Sequence, residues 1–140
     1  MALLDVNALV ALAWDSHVHH AVVRSWFAAA AERAWSTCPV TESGFVRVSS
    51  NPKVICAAIS VDDARLVLPA LRRRPGHRFL TDDVSLADSD VPVVVGHRQV
   101  TDAHLLVLAR RHGTRLLTFD GGAAALAGDR EGDVELLSAL

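Results

Sequence analysis

Four acidic side chains carry the chemistry this chain could perform: Asp5, Glu42, Asp102 and Asp120. Each stands at a boundary between elements. Asp5 closes the apolar run Ala2-Leu3-Leu4, and Asp120 closes Arg115-Leu116-Leu117-Thr118-Phe119; both runs read as short buried strands. Glu42 opens a helix after Thr41. Asp102 opens another after Thr101, where Ala103, Leu106, Val107 and Arg110 recur at helical spacing. An acid in a first helical turn is ordinary, because the helix dipole favours it there. The case for chemistry rests on all four sharing one edge of the molecule.

If the four carboxylates converge to about 6 Å, each ionised pair repels by roughly 3 kcal/mol at an effective dielectric of 20. Helix N-termini return only about 0.3–1 kcal/mol apiece. Such a cluster must take up protons or bind a cation. An oxygen-rich, sulfur-free site with open positions suits Mg²⁺ or Mn²⁺, which keep waters and accept phosphate oxygens. The chemistry it would support is in-line displacement at a phosphodiester.

The elements that must position these acids can be read in order. After the first strand, Asn7 is a cap for a helix from Ala8 to Trp14, and Ser16 for a second from about His17 to Arg33. Ala34 to Cys38 reads as a strand. A third helix opens at Thr41-Glu42 and stops at Asn51-Pro52. Ser60-Val61-Asp62-Asp63 resembles a capping box and begins a fourth helix, ending at Arg72-Arg73-Arg74. His77 to Leu80 is a candidate strand, and Thr81 to Asp90 a polar loop with a helical turn near Ser85 to Ala87. In Val91-Pro92-Val93-Val94-Val95 the proline argues against a central strand. The Asp102 helix has Thr101 as its cap, Arg110, Arg111 and His112 in its last turn, and Gly113 as its stop. Gly121-Gly122 reads as a small-residue loop, and Val134 to Leu137 as a last strand. Strands alternating with helices predict an α/β fold with a central, mainly parallel sheet between helical layers. In such sheets, sites form outside the carboxyl ends of the strands, where all four acids fall.

Composition bounds the reading. The chain has 140 residues, 51% of them hydrophobic, which predicts one globular domain over 1–140. A net charge of −2 gives no basic footprint of the usual nucleic-acid kind, although every cation except Lys53 is arginine, whose planar fork suits phosphate. Cys38 and Cys56 form neither a CxxC pair nor a disulfide framework. No signal peptide or membrane-spanning stretch is evident, so the expectation is a soluble cytoplasmic protein. There is no P-loop and no Gly-x-Ser-x-Gly elbow. Asp5-Val6-Asn7 lacks the second acid that an aspartyl phosphotransferase commonly uses.

Leu3-Leu4-Asp5-Val6-Asn7-Ala8-Leu9, Thr41-Glu42, Val100-Thr101-Asp102-Ala103-His104-Leu105 and Leu117-Thr118-Phe119-Asp120 resemble, in order, the acidic motifs of PIN-domain nucleases, most closely the VapC toxins of toxin–antitoxin pairs. The resemblance implies a three-layer α/β/α PIN-like domain and Mg²⁺- or Mn²⁺-dependent endoribonuclease activity on RNA. It also implies a homodimer and inhibition by a cognate VapB-like antitoxin. Asp5, Glu42, Asp102 and Asp120 would be the catalytic, metal-binding carboxylates, with Asn7 and Thr118 as polar support. Gly121 stands where many relatives carry a basic or polar residue. The competing function is a non-catalytic PIN-like module that binds RNA or a protein.

Other clusters have plainer readings. Asp82, Asp83, Asp88 and Asp90 read as a solvated loop, and His17, His19 and His20 as a hydrated helix start. Arg72, Arg73, Arg74 and Arg78 are either RNA-phosphate contacts or a solvated helix end. His97, Arg98 and His104 flank Asp102 as candidate contacts for substrate or a dimer partner. Trp14, Trp26 and Trp35 read as core. Val10, Leu12, Val22, Trp26 and Val46 are candidates for an antitoxin groove.

Overall fold

The computed structural model describes residues 1–30 and 33–138. Five short strands, β1 (Ala2–Leu4), β2 (Trp35–Thr37), β3 (His77–Phe79), β4 (Arg115–Thr118) and β5 (Val134–Leu136), form one parallel sheet in the order β3-β2-β1-β4-β5. The chain runs outward from β1 through β2 to β3, then crosses to the other side for β4 and β5. The switch in strand order therefore falls between β1 and β4, and a crevice opens at their carboxyl ends.

Side chains alternate across the sheet and split the core in two. Leu4 and Leu117 face a layer built by α1 (Val6–Ala13), α2 (His20–Ala28), α3 (Pro39–Ser49) and α4 (Val61–Arg72), with Leu9, Trp26, Trp35, Phe45 and Leu71 among the buried residues. Leu3 and Leu116 face the opposite layer, α5 (Val100–Arg111) and α6 (Gly121–Leu126), with Leu105, Leu106, Leu108 and Ala123. These are the three layers expected. All three tryptophans pack as core residues do: Trp14 stacks on Phe45, Trp35 is fully buried, and Trp26 donates to Glu135. Among the described residues, no helix is long and apolar enough to cross a membrane.

Several boundaries differ from the sequence reading, each for a local reason. Asp5, not Asn7, caps α1: its Oδ1 accepts the Ala8 N–H at 2.8 Å, so the helix starts directly off the strand. α2 covers only His20–Ala28, and Ser16 lies in the preceding turn; residues 31 and 32 of the expected longer helix lie outside the described residues. α3 begins at Pro39, suited to a first helical position, and Thr41 Oγ1 accepts the Cys38 N–H at 3.0 Å. A 3₁₀ turn at His97–Gln99 runs into α5, which places Thr101 inside the helix and not at its cap. Gly121 and Gly122 open α6 where a loop was expected, because Asp120 Oδ1 caps it through the Gly122 N–H at 2.8 Å. Ser60 caps α4 as read, and Gly113 ends α5 at a φ of +66°, which glycine adopts without steric cost. Residues 91–95 stay out of the sheet, with Val93 and Val95 exposed.

The acidic run from Asp82 to Asp90 is a largely exposed loop, as read, and it also makes ion pairs with α5. Arg111 at the end of α5 pairs with Asp83 at 3.6 Å and with Asp88 and Asp90 at 2.8 Å each, and His104 Nε2 meets Asp82 Oδ2 at 2.7 Å. Together they tie the 81–90 connection along α5.

α1 and α3 meet closely at Gly44. A Cβ on Gly44 would lie 2.4 Å from Val6 Cγ2, so the helices meet over a position that only glycine fits. Gly44→Val should destabilise the fold by about 2 kcal/mol through overpacking. Denaturant unfolding measures it; an unchanged midpoint would mean that Val6 gives way freely.

Candidate active site

Asp5 and Asp120 reach the switch-point crevice because Asp5 follows β1 directly and Asp120 stands two residues beyond the end of β4, the two strands that flank it. Asp5 is buried, and Thr118 Oγ1 donates to its Oδ2 at 2.5 Å. The same hydroxyl oxygen accepts the Asp120 N–H at 3.0 Å. One threonine thus ties the first acid to the turn that carries the last. Asp102 enters from the first turn of α5. On the far side, Gln99 Nε2 donates to the Gly122 carbonyl at 3.4 Å and bridges the approach of α5 to the start of α6.

The three aspartates act on one another. Burial pushes the Asp5 carboxyl above its ordinary range, against the hydrogen bonds from Thr118 and Ala8, and the charge of Asp120 adds to the rise. Asp102 is pushed up to about 6, first by burial and then by the charges of Asp120 and Asp5. A divalent cation at this edge would relieve all of these repulsions together, and the donors are oxygens only. The residues therefore fit a hard ion such as Mg²⁺ or Mn²⁺. Among the described residues, no three acid, imidazole or thiol side chains converge into a ready-made coordination shell. Two of the aspartates are already engaged as helix caps.

Glu42 has partners of its own. It sits in the first turn of α3, where Thr37 Oγ1 donates to its Oε2 at 2.6 Å and Arg72 Nη1 approaches its Oε1 at 3.9 Å. Its neighbours are thus β2 and the end of α4. Of the arginine run, Arg72 lies beside a candidate site residue, with its guanidinium over the Phe79 ring, while Arg74 covers Phe27. His104 is occupied by Asp82, whereas His97 and Arg98 are exposed beside the Asp102 turn. His20 bonds the Ala11 carbonyl and His19 stacks on Phe119, so this trio serves structure.

Val10, Leu12 and Trp26 are buried in the core and cannot line a groove. Val46 does line one: an open groove of about 530 Å³ runs between α3 and α4, past Val61, Arg65 and Leu68 to Glu42.

Thr37 and His77 escaped the sequence reading. Thr37 ends β2 on the same sheet edge as the acids, and the strand-end rule could have found it. His77 had no such signal, since only the β2–β3 register brings it near.

The PIN domain family model matches residues 2–129. The chain is 67% identical over 141 residues to Ribonuclease VapC38 of Mycobacterium tuberculosis, covering all of both chains. It is 46% identical over 126 residues to Ribonuclease VapC39 of the same organism, covering 88% of this chain and 91% of that one. Ribonuclease VapC29, also from that organism, is 42% identical over 127 residues, 91% of each chain.

Proposed function

The chain belongs to the PIN-domain family, and from that premise we propose that it is a VapC-type toxin, a metal-dependent endoribonuclease that cleaves RNA phosphodiesters at Asp5, Asp102 and Asp120 with Glu42 alongside. The observation that carries this reading is the mutual electrostatic strain of three aspartates at the switch point of a parallel sheet. The full-length similarity to proteins named ribonucleases supports it.

Asp5, Asp102 and Asp120 would hold Mg²⁺ or Mn²⁺, with Glu42 completing the set. When bound, the ion lowers the pKa of a coordinated water and offsets charge on the phosphate oxygens. The chain's own residues do the positioning. Thr118 fixes the Asp5 carboxylate and, through the Asp120 N–H, the turn that bears Asp120. The Gly122 N–H holds one oxygen of Asp120, leaving the other free to meet a ligand. Arg98, exposed on the 3₁₀ turn before α5, would be available to a flanking phosphate. The cellular setting that follows is cytoplasmic, with a cognate VapB-like antitoxin as regulator and a homodimer as the working unit.

The test is incubation of total cellular RNA with purified, antitoxin-free protein and Mn²⁺ or Mg²⁺, beside a lane with EDTA. Discrete fragments in the metal-fed lane, with cleavage abolished by EDTA, are expected. RNA bound but uncut in the presence of metal would favour a non-catalytic PIN-like binding module. Sedimentation of the same sample reports whether it is dimeric.

A further inference from the structure

Glu42 is held by a chain of groups that runs through Thr37 to His77. Thr37 is 1% exposed, and its single hydroxyl proton goes to Glu42 Oε2 at 2.6 Å. Its oxygen also lies 2.8 Å from His77 Nε2. Because the hydroxyl's proton is committed to the carboxylate, the nitrogen facing that oxygen must carry one: His77 donates from Nε2 and leaves Nδ1 bare. The opposite tautomer would draw the hydroxyl proton to the ring and turn a bare oxygen against the carboxylate. Register explains the geometry. His77 lies opposite Trp35 across β2–β3, and Trp35 and Thr37 share a face two residues apart. The Trp35 ring packs on His77 at 4.6 Å between centroids, which holds the imidazole in place. Burial and the Arg72 charge lower His77 to about 4, so the ring is neutral at physiological pH.

We propose that His77 and Thr37 are positioning residues for Glu42: the His77 Nε2–H orients the Thr37 hydroxyl, which holds the Glu42 carboxylate in place for a divalent cation. This rests on the nuclease reading above. The arrangement is that of an outer partner that orients a ligand, whose loss typically weakens metal affinity or activity about 10–100-fold.

The experiment is Mn²⁺ titration by calorimetry on the full chain, with RNA cleavage kinetics alongside. His77→Phe keeps the ring volume but removes the donor, and His77→Gln offers an N–H in place of Nε2. Expected are a loss of about tenfold in Mn²⁺ affinity for His77→Phe and a lower kcat at unchanged KM. His77→Gln should recover most of both. Thr37→Val should match His77→Phe, and the double variant should be no worse than Thr37→Val alone, since the two act as one unit. Wild-type Mn²⁺ affinity in a folded His77→Phe protein would overturn the proposal. So would a His77→Gln protein as defective as His77→Phe, which would assign the effect to packing on Trp35. Asp102→Asn separates the two readings. If it too binds Mn²⁺ like the wild type, the metal site itself is wrong; if it does not while His77→Phe does, only the positioning role falls.

Discussion

Asp102→Asn will leave the fold intact, reduce RNA cleavage by roughly 10³-fold or more, and make the metal-free protein more stable at neutral pH. The loss of activity follows from replacing an anionic oxygen donor with a neutral amide. The gain in stability follows from linkage. Asp102 is pushed up to about 6 in the fold, from an ordinary value near 4, so the folded state holds its proton more tightly than the unfolded state does. Stability is therefore greatest with the proton on and falls as pH rises through about 4 to 6; at pH 7 the fold carries the whole penalty. Asparagine removes it. Because Asp102 is only partly buried, solvent screening reduces the gain to the order of 1 kcal/mol, or roughly 3 °C in melting temperature. Thermal melts at pH 4.5 and 7.5 in EDTA measure it: the variant should lead at 7.5 and lose most of that lead at 4.5. Wild-type cleavage rates in this variant would end the nuclease assignment, whatever the melts show.

All four acids are legible in the chain as residues at element boundaries, whereas the contacts that hold Glu42 are not. Asp5, Asp102 and Asp120 are located by rules that act locally: an apolar run ends, a helix starts, and parallel topology puts those junctions on one edge. The double use of Asp5 and Asp120 as helix caps is also a local property, since a strand-end aspartate is within reach of the next N–H groups whether or not it serves chemistry. Glu42 obeys the same local rule, yet its partners are Thr37, five residues back, and Arg72, thirty residues on. Nothing in the spacing of Thr41-Glu42 says that α4 will end beside it. The acidic run at Asp82 to Asp90 shows the same limit. The run is solvated, as a charge run usually is, but its ion pairs with Arg111 and His104 of α5 are settled by packing between segments some twenty residues apart. The groove was misread for a related reason. Val10, Leu12 and Trp26 are apolar because they fill the core, and periodicity cannot tell a face buried by its own chain from one left for a partner.

Thr118→Val should produce the second large effect, and its pH dependence identifies the cause. The Thr118 hydroxyl donates to the buried Asp5 carboxylate and accepts the Asp120 N–H, so valine of similar shape removes both bonds and leaves Asp5 only its backbone donors. A hydrogen bond to a charged group contributes about 1.5–3 kcal/mol, and the variant should lose that much stability at neutral pH. The Thr118 bond opposes the burial that raises Asp5, so its removal drives the Asp5 pKa further up. As pH falls and Asp5 takes its proton, the missing donor matters less, and the stability gap to the wild type should narrow. Cleavage needs the ionised carboxylate, so its onset should move to higher pH, with a loss of about 10–100-fold at neutrality. Thr118→Ser keeps the hydroxyl and should stay close to the wild type in both respects. Denaturant unfolding at pH 5 and pH 8, with a pH–rate profile, tests this. A stability gap that is the same at both pH values, with an unmoved profile, would reduce Thr118 to a packing residue. A gap that closes at low pH would tie the stability of β4 to the charge on Asp5, across the strand pair that builds the site.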